Sequence, residues 1–428
     1  MKLVLSFVLL VAAVSARKGF GPGEQEWGFS EVRPGAHMFW WLYYTYATDV
    51  VTDRPLVLWL QGGPGSSSTG YGNFAELGPL DHTLQPRNFT WVKDCNVMFV
   101  DNPVGTGYSY VESNSLLTTN NKQIAEDLVA MMKDFYKQFP KFENTPLYIT
   151  CESYGGKMVA EFALLLDKAI KNGEIKANFK GVGLGDAWIS PIDSVMTWAP
   201  YLLNTGMIDQ RGFDAIMADA NSVKQAVESE QWSLATDLWG MTESTIMRYS
   251  HYTDFYNILK KINYGWRSGP VLPGVQRDEV DGAIHNIMNF PVREALGDLP
   301  VDVTWSMSSG EVFGTLAGDF MKPVTDVVEQ LLNSTDIKVA VFNGQLDLIV
   351  DTPGTVDWVE RLKWPGKKDW LAAPRDALVS KGIIEGFKKK YGNFAMYWVN
   401  RAGHMVPADN PEGMDALLRE LTNNYSGQ

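Results

Sequence analysis

Apolar and polar positions divide the chain into three stretches with different periods. In the first, short unbroken apolar runs alternate with segments of helical spacing. Pro55–Leu60 and Asn96–Val100 are continuous apolar runs, the pattern of strands buried on both faces. Trp27–Val32 and the aromatic-rich His37–Ala47 predict two earlier strands, with their rings packed into the core. Asn120–Phe139 carries Ile124, Leu128, Met131, Met132 and Phe135 at helical spacing. A further apolar run from Leu147 stops at Ser153. Two glycines follow, and Lys157–Ile170 returns to the helical period. Phe179–Gly185 predicts the next strand. Strands that alternate with helices predict a parallel sheet. From Ser190 to about Thr304 the chain becomes polar and helical in pattern, with no strong strand. This predicts a helical cap inserted at about 190–310. Strands resume at Asp336–Phe342 and Asn393–Val399, and Pro411–Leu421 predicts a closing helix with its proline in the first turn. The expectation is one α/β domain over 17–428, a mostly parallel central sheet with helices on both faces.

Composition narrows the setting. Of 428 residues, 45% are hydrophobic and 20% charged, enough for a large core and against disorder or coiled coil. Met1–Ala16 has the form of a secretory signal: Lys2, an apolar Leu3–Val14, and Val14-Ser-Ala16 as a small-residue cleavage site. The apolar run is too short to span a bilayer. Asn88, Asn333 and Asn424 each begin a glycosylation sequon, and Asn333 is the favoured one. A net charge of −13 disfavours nucleic acid and anionic membrane as partners and suits an acidic compartment. The expected location is secreted or lysosomal. Nothing in the pattern decides between a monomer and a homodimer.

Chemistry enters at Glu152-Ser153-Tyr-Gly-Gly156. A serine at the apex of a strand–turn–helix has the form of a nucleophile elbow, although Cys151 stands where the first glycine of G-x-S-x-G is expected. A helix-capping serine is the plainer reading of that stretch alone. A serine hydroxyl needs a base, most often a histidine oriented by a carboxylate. Among five histidines, His404 sits in a turn just after a strand, and Asp347 lies just past an earlier strand end. The order Ser153, Asp347, His404 is that of α/β-hydrolases.

Together, Trp59-Leu-Gln-Gly-Gly-Pro-Gly-Ser-Ser-Ser68, Glu152-Ser-Tyr-Gly-Gly156, Asn343-Gly-Gln-Leu-Asp347 and His404-Met-Val-Pro-Ala-Asp-Asn-Pro411 resemble the serine carboxypeptidases, a family of α/β-hydrolases. Gln61, Phe39-Trp-Trp-Leu-Tyr-Tyr44 and Gly185-Asp-Ala-Trp-Ile-Ser-Pro191 place the pattern nearest the retinoid-inducible branch. The resemblance implies Ser153 as nucleophile, His404 as base and Asp347 as its orienting acid. It also implies an oxyanion hole from the amides of Gly63 and Tyr154, and a clamp for the substrate's terminal carboxylate from Gln61, Gly62, Glu76 and Glu152. It implies peptide substrates with a free C-terminus, acid-favoured activity, and neither metal nor organic cofactor. In this chain Gln61 replaces the family's usual Asn, and Gln61–Glu76 is one residue longer than the commonest pattern. Because the strand ending near Gly62 lies between the other two in such a sheet, Cys95 and Cys151 are expected as free, buried thiols beyond disulfide reach. Two rival functions share these residues: an acyltransferase or esterase of the same fold, and a non-catalytic protective or binding partner.

Overall fold

The structure, a computed structural model, describes residues 18–261 and 278–423. The signal-like Met1–Ala16 and the Asn424 sequon lie outside the described residues. Eleven strands form one sheet: β1 (Gln25–Arg33), β2 (Ala36–Tyr43), β3 (Leu56–Leu60), β4 (Asn96–Val100), β5 (Tyr110–Val111), β6 (Pro146–Glu152), β7 (Asn178–Gly185), β8 (Lys338–Gly344), β9 (Asp376–Ser380), β10 (Ile383–Tyr391) and β11 (Phe394–Val399). Their spatial order is β1-β2-β4-β3-β6-β7-β8-β11-β10-β9, with β5 paired to β2. The six strands from β4 to β11 run parallel, and both edges are antiparallel. In the centre Leu56–Leu60 lies in register with Leu147–Cys151.

The two-residue period of the strands builds a core on each face. Met38, Trp40 and Leu42 of β2 join one cluster with Leu56 and Leu58, while Phe39, Trp41 and Tyr43 join the other with Val57 and Trp59. Helices α1 (Asn121–Gln138) and α2 (Gly155–Lys171) cover the first face through Ile124, Leu128, Met158 and Phe162. The closing helix Pro411–Thr422 covers the second through Met414, Leu417, Leu418 and Leu421. Helix α1 starts at an Asn120 side chain that accepts from the Gln123 amide.

Between β7 and β8 the described residues contain helices and no strand: α3 (Pro191–Asn204), α4 (Gln210–Glu228), α5 (Trp232–Tyr249), then Asp278–Ile287, Gly310–Phe320 and Thr325–Ser334 among them. Helical structure thus continues past residue 310. The hairpin β9–β10 went unpredicted. It lies at the sheet edge, where Ile383 and Ile384 are exposed and Lys388–Lys390 break the apolar alternation. Ser68–Leu77, for which no element was predicted, is wound with π-type hydrogen bonds. Glu76 lies within this segment, buried and hydrogen-bonded to Gln61.

Candidate active site

Strand β6 ends at Glu152, α2 starts at Gly155, and Ser153 between them has φ 63°. A left-handed conformation costs a non-glycine residue roughly 1–2 kcal/mol, so the surroundings must hold it. The Ser153 amide donates to the carbonyls of Gly185 (3.0 Å) and Asp186 (3.1 Å), and its carbonyl accepts from Gly156 (2.8 Å) and Trp188 (2.9 Å). The turn also needs bare backbone beside it. A Cβ on Gly62 would stand 2.5 Å from Ser153 Cβ, and one on Gly155 would stand 2.6 Å from the Leu60 carbonyl oxygen. Cys151 fills the place of the missing first glycine with a buried thiol that donates to Gly183 O at 3.5 Å.

His404 and Asp347 arrive from the ends of β11 and β8. The Nδ1 of His404 lies 2.8 Å from Asp347 Oδ2, with the two side chains 2% and 0% exposed. The His404 amide is anchored on the Tyr256 carbonyl at 2.6 Å. Asp347 Oδ1 accepts from the Val350 amide at 3.2 Å. A third acid, unforeseen in the sequence, completes this group. Asp186, itself at φ 41°, accepts from the Gly344 amide at 2.8 Å and lies beside Asp347. Single ligating atoms of Asp186, Asp347 and His404 lie within 4.8 Å of one another. Burial pushes both carboxyls up. Asp347 has the His404 contact as well as the Val350 amide, which favours negative charge there over Asp186.

Ser153, His404, Gly62, Gly63, Gln61 and Glu152 line one cavity of about 220 Å³. Among the described residues no group accepts from the amides of Gly63 or Tyr154, so both donors are available to an oxygen at the Ser153 turn. The Tyr154 ring points away and its hydroxyl donates to Asp319 at 2.8 Å.

Gln61, Glu76 and Glu152, expected to clamp a terminal carboxylate, converge as one hydrogen-bonded unit. Gln61 Oε1 accepts from Trp59 Nε1 at 2.8 Å, while its Nε2 donates to Glu152 Oε1 (2.8 Å) and Glu76 Oε1 (3.0 Å). Gln61 therefore has both amide protons committed to carboxyls, and Glu76 lies behind it, 2% exposed. Burial raises the Glu76 carboxyl to about 7, opposed by its hydrogen bonds to Glu152 and Gln61. Two acids this close retain one proton between them. The Gln61 side chain thus spans the pair, and of the two carboxyls Glu152 is the one on the cavity wall.

Cys95, just before β4, and Cys151, on β6, are free and buried, with β3 between the two strands, as expected. Burial pushes both thiols far above the usual range, which disfavours a thiolate nucleophile at Cys151. Asn88 and Asn333 are exposed. Asn333 Nδ2 donates to the carbonyls of Glu329 and Lys363. No described helix is long and apolar enough to cross a membrane.

The serine carboxypeptidase family matches residues 18–424. The chain belongs to the serine carboxypeptidase family. It is 43% identical to the retinoid-inducible serine carboxypeptidase of Mus musculus over 98% of this chain and 96% of that protein. It is 37% identical to serine carboxypeptidase-like 51 of Arabidopsis thaliana, covering 95% and 94% of the two chains. Among solved structures, Kex1(delta)p, a prohormone-processing carboxypeptidase from Saccharomyces cerevisiae, superposes with a TM-score of 0.81 at 21% identity, over 94% of this chain and 91% of that one. That likeness establishes the α/β-hydrolase fold. The chain is accordingly a serine-type carboxypeptidase, an enzyme acting on peptides.

Proposed function

We propose that this carboxypeptidase works through Ser153, His404 and Asp347 by an acyl-enzyme route, favoured at acid pH. The observation that carries the reading is the buried His404–Asp347 contact of 2.8 Å beside a strained Ser153 on the same cavity. Ser153 Oγ attacks the carbonyl carbon of the last peptide bond and passes its proton to His404 Nε2. Charge gathers on the carbonyl oxygen, where the Gly63 and Tyr154 amides receive it; such donors are worth about 3 kcal/mol each. The C–N bond then breaks as His404 returns the proton to the leaving amine. Water repeats the sequence to release the acyl chain. Asp347 keeps the imidazole in the tautomer with its proton on Nδ1.

The terminal carboxylate of the substrate meets the Glu76–Glu152 pair. While that pair keeps its proton, Glu152 can donate a hydrogen bond to the incoming carboxylate. With Glu76 held near 7, the proton leaves as the medium turns neutral, and the clamp then repels the substrate. Acid-favoured peptidase activity follows, in keeping with a leader at Met1–Ala16 that delivers the protein to a secreted or lysosomal setting.

The test is release of the terminal amino acid from a blocked dipeptide between pH 4 and 8, with Ser153→Ala in parallel. Acid-favoured release that disappears in Ser153→Ala supports the proposal. No release at any pH, with Ser153 still labelled by a fluorophosphonate, would point to an acyltransferase or esterase instead.

A further inference from the structure

Part of the cavity wall has no role in the chemistry above. Trp188, Trp239, Glu243 and Phe320 line it. The three rings form one cluster, with centroids 4.7 Å apart for Trp239–Phe320 and 5.4 Å for Trp188–Phe320. Glu243 stands one turn along α5 from Trp239, half-buried, and has neither ion pair nor hydrogen bond among the described residues. The indole Nε1 of Trp239 is also buried without an acceptor there.

Three buried acids of the fold are partnered differently. Asp101 receives Ser67, Thr69 and Tyr108; Asp319 receives Lys157 and Tyr154; Glu76 receives Gln61. A carboxyl left unpaired in an aromatic wall loses water contacts without gaining a protein partner. Helix α5 does not need Glu243 for its packing, since Ala235, Thr242 and Ile246 make its buried face. The residues lining the cavity include no Lys or Arg; their ionisable groups are Glu152, Glu243, Asp281, His404 and two tyrosines.

We infer that Glu243, with the faces of Trp188 and Trp239, forms a subsite for a basic side chain, Lys or Arg, of the peptide beside the scissile bond. The inference rests on the peptidase reading of the same cavity. The aliphatic stem of such a side chain packs on the rings, a cation within about 6 Å of an indole face is attracted to it, and the carboxyl supplies the missing partner. The net charge of −13 favours encounter with cationic peptides.

Proton linkage makes the subsite distinguishable from a generally acidic surface. Burial alone raises Glu243 to about 8. The groups sharing its cavity are Glu152, Asp281, His404, Tyr71 and Tyr256. On the helices packed against α5, Asp219 of α4 is held by Thr245, and Asp319 of Gly310–Phe320 by Lys157 and Tyr154. None of them acts as a charge partner of Glu243. A basic side chain therefore enters by displacing one proton from Glu243, and preference for it rises with pH until about 8.

The experiment compares kcat/KM for blocked dipeptides carrying lysine or its uncharged isostere norleucine, placed at the terminal and at the penultimate position, between pH 5 and 7.5. The wild type is expected to show, at one of the two positions, a lysine-to-norleucine ratio that climbs with pH, by up to about tenfold per unit. Glu243→Gln is expected to flatten that climb. A ratio flat in the wild type at both positions, or climbing identically in Glu243→Gln, overturns the subsite while norleucine cleavage leaves the peptidase reading standing. If neither peptide is cleaved at any pH, the peptidase reading fails and the subsite falls with it.

Discussion

Replacing Glu76 by Gln removes one titrating proton from the clamp and leaves its hydrogen bonds in place. The carbonyl oxygen of the introduced side-chain amide still accepts from Gln61 Nε2, which lies 3.0 Å from Glu76 Oε1 in the wild type. In the folded wild type Glu76 holds its proton to about 7, against 4.5 for an ordinary glutamate. The folded state therefore binds more protons than the unfolded chain between those values, and stability must fall as pH rises through that window and level off above it. The difference of about 2.5 units corresponds to about 3 kcal/mol at 1.36 kcal/mol per unit. For a chain of about 400 residues, an unfolding entropy near 2.1 cal/mol/K per residue turns this into roughly 4 °C of Tm. The assay is thermal unfolding of both proteins in steps from pH 4.5 to 7.5 at constant ionic strength. The wild type is expected to lose about 4 °C relative to Glu76→Gln across that range, and the slope belongs to the Glu76–Glu152 pair rather than to one acid. Parallel Tm curves would refute the claim that a buried, protonated acid pair sits in the clamp.

Other outcomes follow from the same geometry. Asp186→Asn keeps a polar neighbour beside Asp347, so kcat at pH 5 should stay within about tenfold of wild type. Asp186→Leu replaces the polar neighbour of Asp347 by an apolar one and should lose on the order of 10–100-fold; equal losses in both would remove Asp186 from the site. Gly62→Ala puts a methyl 2.5 Å from Ser153 Cβ, and should lower stability by about 1–3 kcal/mol and slow fluorophosphonate labelling; an unchanged Tm and rate would contradict the close-approach argument. Both thiols are buried and held protonated, so Ellman's reagent should find none in the native enzyme and two after denaturation. A fast-reacting native thiol would reopen Cys151.

What could be read in advance was what is local. Ser153, Asp347 and His404 each sit just beyond a strand, and strand ends are visible as apolar runs that stop at turn residues. The free state of Cys95 and Cys151 followed from strand order. The clamp was different: without the family pattern, Glu76 is a loop acid and Glu152 a turn acid, and only the fold brings both to Gln61. Asp186 escaped because an acid after a glycine is ordinary at a strand end. Its meaning comes from Gly344 and Asp347, far along the chain. Glu243 escaped for the opposite reason: it looks like any acid on an amphipathic helix, and only the cavity shows that its neighbours are indoles. The β9–β10 hairpin was hidden by Lys388–Lys390, which interrupt the apolar alternation of β10.

The most direct test of the account is the ratio of kcat/KM for one blocked dipeptide with a free C-terminal carboxylate to that for its C-terminal amide, measured at pH 5 and pH 7.5 with Ser153→Ala as the blank. The account predicts a large preference for the free acid at pH 5 that shrinks steeply by pH 7.5, as the Glu76–Glu152 pair loses its proton. A ratio near one at pH 5, or one that does not change with pH, would contradict the carboxylate clamp and with it the assignment of Gln61, Glu76 and Glu152.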